Sequence, residues 1–130
     1  MLYGAECWPV KDTHVKKLHV AEMKMIRWSD SVTRIDKIRN ELIRGSFKVS
    51  PIFEKLTETR LRWYGHVMRR DDGHVVQRAL ALPEGKKRGG RPHLTWWTSM
   101  AKLLEKAQLP NPTTRDRSSW RRRIRRADPT

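Results

Sequence analysis

The segment SPIFEKLTETRLRWYGHVMRR, residues Ser50–Arg70, decides the fold of this chain. Serine followed by proline is a typical helix start, because serine caps free backbone N–H groups and proline has no N–H that needs a partner. Apolar side chains then recur at helical spacing, which predicts a long amphipathic helix that ends near Asp71-Asp72-Gly73. The apolar ridge of this helix consists of Ile52, Leu56, Trp63 and Val67.

The second half of this helix, from Arg60 to Arg70, interleaves arginines with the adjacent aromatic residues Trp63 and Tyr64. Arginine presents a planar fork of donors that matches phosphate oxygens, and arginine planes and aromatic rings both stack on bases. This composition indicates a nucleic-acid partner for the segment.

Helical patterns continue on both sides of the segment, and no alternating pattern long enough for a useful strand interrupts them. We therefore predict an all-α fold, a small bundle of five or six helices. The last helix is rich in arginine and carries Trp120, Ile124 and Ala127 as a narrow apolar stripe. The other helices are predicted from Asp12 or Thr13 to Trp28, from Thr33 to Gly45, from about His74 to Leu82 and around Leu94–Leu104, with Thr113 or Thr114 as the cap of the last helix.

Composition divides the chain into three parts: a helical domain (1–82), a basic linker rich in glycine and proline (83–92), and a basic helical C-terminal segment (93–130). The end of the linker, Arg88-Gly-Gly-Arg-Pro92, resembles a minor-groove hook of the Arg-Gly-Arg-Pro type with an added Gly90. The added glycine changes the spacing of the arginines. This favours a flexible linker with general phosphate affinity over groove-specific reading.

The charge of the chain is strongly positive. Its 130 residues include 29 Lys+Arg against 14 Asp+Glu, for a formal net charge of +15 at pH 7, and residues 66–130 hold 16 of the basic and 6 of the acidic residues. Such an excess predicts a polyanionic partner, first nucleic acid and second an anionic membrane surface, and argues against an ordinary cytoplasmic enzyme. No apolar run approaches the roughly 20 residues of a membrane span, and the N-terminus lacks the pattern of a signal peptide.

Five of the arginines fall within six residues near the C-terminus: Arg121, Arg122, Arg123, Arg125 and Arg126. Hardly any acids near them relieve their mutual repulsion. A bound polyanion therefore explains them better than a merely solvated helix face.

Aromatic residues at helical spacing are usually part of a core, and we expect this of Trp28, Trp63 and Trp97. Tyr64 and Trp96 lie nearer the edges of their helices and are the candidates for stacking on bases.

Two charged residues occupy positions where helical spacing places apolar groups. Glu22 falls between Leu18 and Ile26, and Arg60 follows Leu56 by about one turn. A lone buried charge is costly. Either the two side chains pair inside the bundle and fix how the first helix docks on the long one, or each reaches solvent separately.

The sequence contains no strong catalytic or metal-binding set, and we expect neither a metal nor a cofactor. Cys7 and the five histidines lack the paired spacing of a structural zinc site. Asp71-Asp72 is the only adjacent carboxylate pair, of a kind that two-metal nucleases and polymerases use. The glycine that follows the pair is typical of a turn, and we favour the turn.

Six motifs follow one another along the chain: LYGAECW (Leu2–Trp8), VAEMKMIRW (Val20–Trp28), TRIDKIRNE (Thr33–Glu41), RLRWYGHVMRR (Arg60–Arg70), RGGRP (Arg88–Pro92), and DRSSW from Asp116 on through Ala127-Asp-Pro129. Taken together they resemble the C-terminal end of the reverse transcriptase polyprotein of non-LTR retrotransposons, which are LINE-like and of the RTE type. The resemblance covers nearly the whole chain. It departs at Ser29-Asp30, where relatives often have Cys-Gly, and at the displaced glycine of the hook.

The resemblance implies a role in holding RNA or DNA, largely by the phosphate backbone, during target-primed reverse transcription in the nucleus or in a cytoplasmic ribonucleoprotein. It does not include the Tyr/Phe-x-Asp-Asp turn of the palm or the endonuclease, so the chain by itself is not expected to be an enzyme. A gene relic without function and a protein-interaction scaffold stay open as alternatives. The predicted nucleic-acid contacts are Arg62, His66, Arg69, Arg70, Lys86, Lys87, Arg88, Arg91, Arg121, Arg122, Arg123, Arg125 and Arg126. The resemblance implies one further contact, from Arg60.

Overall fold

The computed structural model describes residues 2–82, 89–90, 93–109 and 114–128. Within these ranges the chain is all-α, with six α-helices, one short 3₁₀ turn and no strand, which confirms the predicted bundle of five or six helices. The helices are α1 (Asp12–Ser29), α2 (Asn40–Phe47), α3 (Ile52–Met68), α4 (Val75–Leu80), α5 (Trp96–Lys106) and α6 (Arg117–Ile124), preceded by a 3₁₀ turn at Ala5–Cys7.

Helix α3 is the central element, because the 3₁₀ turn, α1, α5 and α6 all pack against it. It begins at Ile52, one residue after the proline predicted in its first turn, and ends at Met68, slightly before the predicted end. The predicted serine cap is wrong, because the Ser50 hydroxyl donates to the Ala127 carbonyl at 2.7 Å instead. Leu56 and Val67 of the predicted ridge are buried, and Leu61 on another side of the helix is completely buried. A helix covered from several directions buries more than one face, so its apolar residues do not form a single stripe.

The main hydrophobic core lies where α3 meets α5 and α6. Burial of apolar surface in this cluster removes it from water and stabilises the fold. Trp120 and Ile124 are almost completely buried here, as predicted for the apolar stripe of the last helix. The cluster joins residues from both sides of the predicted linker: Leu61, Tyr64, Met100, Leu109, Trp120 and Ile124, with Trp96, Leu103, Leu104 and Ala107 packed against them.

The second helix begins later than its predicted start at Thr33. The predicted contact does form, because the Asp36 carboxylate accepts hydrogen bonds from the Thr33 amide at 2.7 Å and from its hydroxyl at 2.8 Å. It closes a turn, since Lys37 has a φ of 51°, which is outside the helical region. The Arg27 guanidinium holds this loop by donating to the Ile38 carbonyl and to the Asn40 side chain, and α2 starts only at Asn40.

The expectation that Trp28 and Trp97 belong to a core is wrong. Trp28 is 85% exposed and Met25 is 59% exposed, because α1 turns Glu22 and Met23 inward instead. Trp97 is 41% exposed, and Trp63 is partly buried. Helical spacing places these tryptophans on the apolar faces of their helices. At the end of α1, however, no described part of the chain covers the face that carries Trp28.

Glu22 and Arg60 are both buried, but the predicted pair between them is wrong. The Glu22 carboxylate accepts hydrogen bonds from Arg44 Nη2 at 2.9 Å and from the Ile52 amide at 2.8 Å. Arg60 Nη2 donates to Ser99 Oγ at 2.9 Å and to the Trp8 carbonyl at 3.3 Å. The pair cannot form because Glu22 binds the N-terminal end of α3, where helix dipoles favour an acid, whereas Arg60 lies about two turns further along.

The contact between α3 and α6 depends on a glycine. A Cβ at Gly65 would overlap the indole ring of Trp120, whose Nε1 donates a hydrogen bond to the Leu61 carbonyl at 3.0 Å. Only the absence of a side chain at this position lets the tryptophan lie directly on the α3 backbone.

We expect Gly65→Ala to lower the free energy of unfolding by about 1–3 kcal/mol, since the added methyl group overpacks this contact. Urea denaturation followed by far-UV circular dichroism measures the change. Gly45→Ala is the matched control, because Gly45 lies within α2 and its Cβ would meet nothing within 4 Å. The control variant should be more stable by about 0.5–1 kcal/mol. A Gly65→Ala protein as stable as the parent would contradict this account of the α3–α6 contact.

Candidate nucleic-acid interface

A cleft of about 250 Å³ lies between α3 and α6, with the 3₁₀ turn at one edge. Four arginines and one histidine line it, against a single acidic residue. This balance makes it strongly cationic. We call it the basic cleft, and its lining residues are Glu6, Thr59, Arg62, Trp63, His66, Arg69, Arg117, Trp120 and Arg121.

Helix α3 supplies one wall of the basic cleft. Arg62, His66 and Arg69 follow one another at spacings of four and three residues, so they lie on the same face of the helix. Trp63 lies beside them, with its ring stacked on the His66 ring at a centroid distance of 5.2 Å and an angle of 21°. The wall therefore combines three cationic or titratable groups with a flat aromatic surface.

Helix α6 supplies the opposite wall. The Asp116 carboxylate caps this helix by accepting a hydrogen bond from the Ser118 amide at 2.9 Å, in place of the predicted threonine caps. Arg117 and Arg121, one turn apart, then flank Trp120. Because Trp120 is buried against α3, it orients α6 so that these two arginines face the cationic side of α3.

The pKa shifts in the basic cleft reflect burial first and crowding by like charges second. The pKa of Arg69 is lowered by burial and then by the charges of Arg117 and Arg121. The pKa of the His66 imidazole is lowered below its ordinary value by burial first, and then by several cations of which Arg70 and Arg69 contribute most. A bound anion would relieve both shifts, because it favours the protonated form of each group.

Few of the predicted contact residues are neutralised by the acids of the protein. Four ion pairs occur in the described part of the chain, and only the one between Arg62 and Glu58, at 2.6 Å, includes a predicted nucleic-acid contact. Arg69 donates to the Thr114 carbonyl at 2.9 Å, and Arg70 lies 3.2 Å from His66 Nε2. These neutral partners leave the positive charge of both arginines in place.

The predicted contact residues separate into groups. Arg62, His66, Arg69 and Arg121 come together in the basic cleft. Arg70, Arg122, Arg123 and Arg125 are exposed elsewhere on the surface, and Arg126 lies at a second cleft beside Phe53 and Lys106. Lys86, Lys87, Arg88 and Arg91 lie outside the described residues.

The arginine-rich helix is shorter than predicted. It ends at Ile124, and Arg125 is extended with a ψ of 130°. Ala127 therefore lies beyond the helix and is exposed. The Arg126 amide donates to a Glu58 oxygen at 3.0 Å and its carbonyl accepts from Lys55 Nζ at 2.8 Å, which turns this end of the chain along α3.

The two predicted stacking residues are occupied inside the protein. Tyr64 is only 7% exposed, so the prediction that its ring stacks on a base is wrong. Trp96 is partly buried, packs against the core and donates its Nε1 hydrogen to the Glu6 carbonyl at 3.0 Å. Arg60 is 5% exposed and is likewise unsuited to a direct contact. The predictions for Tyr64 and Arg60 failed for the same reason: the core lies on the Tyr64 side of α3, not on the Trp63 side.

Five residues that line the basic cleft were missing from the predicted contacts: Glu6, Thr59, Trp63, Arg117 and Trp120. Arg117 could have been found, because it precedes Arg121 by one turn and both lie next to the buried Trp120. To choose Trp63 instead of Tyr64 as the stacking candidate, one would have needed to know which side of α3 is buried. No pattern in the sequence connects Glu6 with a helix that begins more than a hundred residues later.

The described ranges contain no group of three or more His, Cys, Asp or Glu residues that could hold a metal ion. Asp71 lies in a turn, where its carbonyl accepts a hydrogen bond from the His74 amide at 2.9 Å, in agreement with the predicted turn. Among the helices that the structure describes, none has the length and apolar character needed to cross a bilayer.

Comparison with protein-family models, with curated proteins and with solved structures found no match to this chain.

We expect the pKa of His66 in the free protein to lie below its ordinary value of 6.5, and binding of an oligonucleotide to raise it, because phosphate charge favours the imidazolium. Affinity should then rise as the pH falls through this range. In the free protein the sign is opposite for stability: below pH 6.5 the unfolded chain takes up the proton first, so stability decreases as the pH falls towards the lower folded value. NMR titration of the histidine ring protons measures both pKa values. His66→Gln should remove this component of the pH dependence and His93→Gln should retain it, whereas a pKa at or above 6.5 in the free protein would contradict the geometry.

Proposed function

We propose that this chain binds RNA or DNA through the phosphate backbone and serves as the basic C-terminal region of a non-LTR retrotransposon reverse transcriptase. The observation that supports the proposal best is the basic cleft, where Arg69, Arg117 and Arg121 converge and no acid forms an ion pair with them in the described residues. Bringing cations together without counter-charges costs free energy, which a bound polyanion would offset.

The mechanism is neutralisation of phosphates with release of condensed counterions. Arginine forks suit this task because they bind phosphate oxygens with two parallel hydrogen bonds. Arg122, Arg123 and Arg125 are exposed outside the cleft and would lengthen the stretch of nucleic acid that the protein contacts.

The resemblance of six successive motifs to the end of the retrotransposon polyprotein gives the proposal its biological context. In that context the chain holds the template RNA or the target DNA for a polymerase, in the nucleus or in a cytoplasmic ribonucleoprotein. The proposal assigns no catalytic step to the chain itself, since the resemblance does not include the aspartates of the polymerase palm.

A protein-interaction scaffold is the second candidate, and one observation favours it. Trp28, Ile35 and Leu42, at the end of α1, in the following loop and on α2, are 85%, 87% and 67% exposed. Large apolar side chains in water are a common mark of protein contacts when they cluster. The two candidates differ in their response to salt, because screening weakens phosphate binding and does not weaken apolar association.

The salt dependence of binding tests the proposal. If about six phosphates of duplex DNA are contacted, log affinity should fall with log salt concentration at a slope of about −5. The double variant Arg117→Gln, Arg121→Gln should reduce the steepness of this slope by about 2, since each lost phosphate contact removes about 0.9. Fluorescence anisotropy with a labelled duplex and with a single-stranded RNA measures both.

The matched control is Lys16→Gln, Lys17→Gln on α1, which removes the same charge from exposed positions away from the basic cleft. It should retain the slope of the parent protein. An affinity that does not change with salt would contradict the proposal, and so would equal slopes for the two double variants.

A further inference from the structure

Among the residues that the structure describes, Glu6 is the one acidic residue that lines the basic cleft, and its position is unexpected. Four arginines line the same cleft, yet no ion pair or side-chain hydrogen bond to the Glu6 carboxylate occurs among the residues that the structure describes. A cleft that served phosphates alone would bind them better with a neutral side chain here, because a carboxylate repels phosphate. A ligand group other than phosphate would therefore account for the Glu6 carboxylate.

The backbone around Glu6 is held in place independently of its side chain. Trp96 Nε1 donates to the Glu6 carbonyl at 3.0 Å, and Arg60 Nη2 donates to the Trp8 carbonyl at 3.3 Å. Ala5 is buried, and the 3₁₀ turn packs closely on α3. Glu6 thus lines the cleft from a fixed backbone, within reach of a ligand bound there.

A flat aromatic surface lies in the same cleft. Trp63 and His66 stack on each other, with ring planes 21° apart. An aromatic surface of this kind binds the face of an unpaired base, and base–aromatic stacking is a general mode of single-strand recognition. At about 250 Å³ the cleft is smaller than the roughly 300–1,000 Å³ of pockets for drug-sized ligands, which suits a single base.

We propose that the basic cleft binds one unpaired guanine of a single strand, with the base stacked on the Trp63–His66 pair, its Watson–Crick edge at the Glu6 carboxylate and the adjacent phosphates at Arg69, Arg117 and Arg121. This inference rests on the proposed nucleic-acid binding and adds a base preference at one position.

Guanine is selected by the chemistry of the acceptor. A carboxylate only accepts hydrogen bonds, and it accepts them best in pairs. Guanine presents two adjacent donors on its Watson–Crick edge, N1–H and the 2-amino group. Adenine and cytosine each place a ring-nitrogen acceptor beside their amino group, and uracil places a carbonyl on each side of its single N–H. Each of these three would set an acceptor against the carboxylate, which is unfavourable.

The test measures the affinity of the whole chain for a series of single-stranded RNA octamers. Each octamer is a uridine tract that differs only at one central position, which is guanosine, inosine, adenosine, cytidine or uridine. We expect guanosine to bind about tenfold tighter than adenosine, cytidine or uridine. Inosine, which keeps N1–H but lacks the 2-amino group, should fall between guanosine and adenosine.

Glu6→Ala should reduce the ratio of guanosine to adenosine affinity to about 1 while the phosphate contacts persist. The variant should fold, because the anchors of the 3₁₀ turn are backbone carbonyls and not the Glu6 side chain. Glu105→Ala is the matched control: it removes one exposed acid from α5, outside the cleft, and should retain the guanosine preference.

Two results would overturn the inference and leave the proposed function intact: equal affinities for all five octamers, or a Glu6→Ala protein that binds every octamer more tightly with an unchanged guanosine ratio. The second result would mean that Glu6 acts only as a negative charge. Failure to bind any octamer or duplex at low salt would instead reject the proposed function, and the guanine site with it.

Discussion

The indole ring of Trp120 on the bare backbone of Gly65 is the contact on which the architecture depends. The ring fills the core next to Leu61 and Met100, and its N–H satisfies a backbone carbonyl of α3. Close approach at a glycine fixes both the distance and the rotation of α6 relative to α3. The α6 wall of the basic cleft follows from that rotation, since it turns Arg117 and Arg121 towards the cationic face of α3.

In this arrangement apolar burial favours the contact between α3 and α6, and the charges of their arginines oppose it. Apolar burial around Trp120 draws two arginine-bearing helices together, and the pKa of Arg69 is lowered first by burial and then by repulsion from Arg117 and Arg121. Two contacts reduce this repulsion only in part: Glu58 forms an ion pair with Arg62, and the Thr114 carbonyl accepts a hydrogen bond from Arg69. A polyanion in the basic cleft would complete the compensation, and the proposed function rests on this argument.

Much of the fold could be predicted because it depends on local signals. Ser50-Pro51 marked the start of α3, and the spacing of Trp120 and Ile124 identified the buried side of α6. The errors arose where tertiary contacts decide. Tyr64 and Trp63 are neighbours in sequence, and only the position of α5 and α6 determines which of them is buried. Glu22 and Arg60 were both recognised as charges at apolar positions of their helices, but partners 22 residues and 39 residues away, Arg44 and Ser99, could not be chosen from spacing.

The site could be predicted only in part for the same reason. Arginine content and aromatic interleaving identified α3 and α6 as the cationic elements. The sequence could not show that Arg62 and Arg121 share one cleft while Arg126 lies at another, since helix α6 ends earlier than its composition suggests. Glu6 enters the cleft from the other end of the chain, through hydrogen bonds to its backbone that leave no pattern in the sequence.

The most direct test of the central claim is to locate bound nucleic acid on the protein. A single-stranded RNA that carries 4-thiouridine is cross-linked to the intact chain by long-wavelength light, and mass spectrometry identifies the modified residues. The account predicts adducts on the cleft face of α3, at Trp63 or His66, together with adducts on α6 between Arg117 and Arg121. Adducts confined to α1 and α2, with none on either wall of the basic cleft, would contradict it.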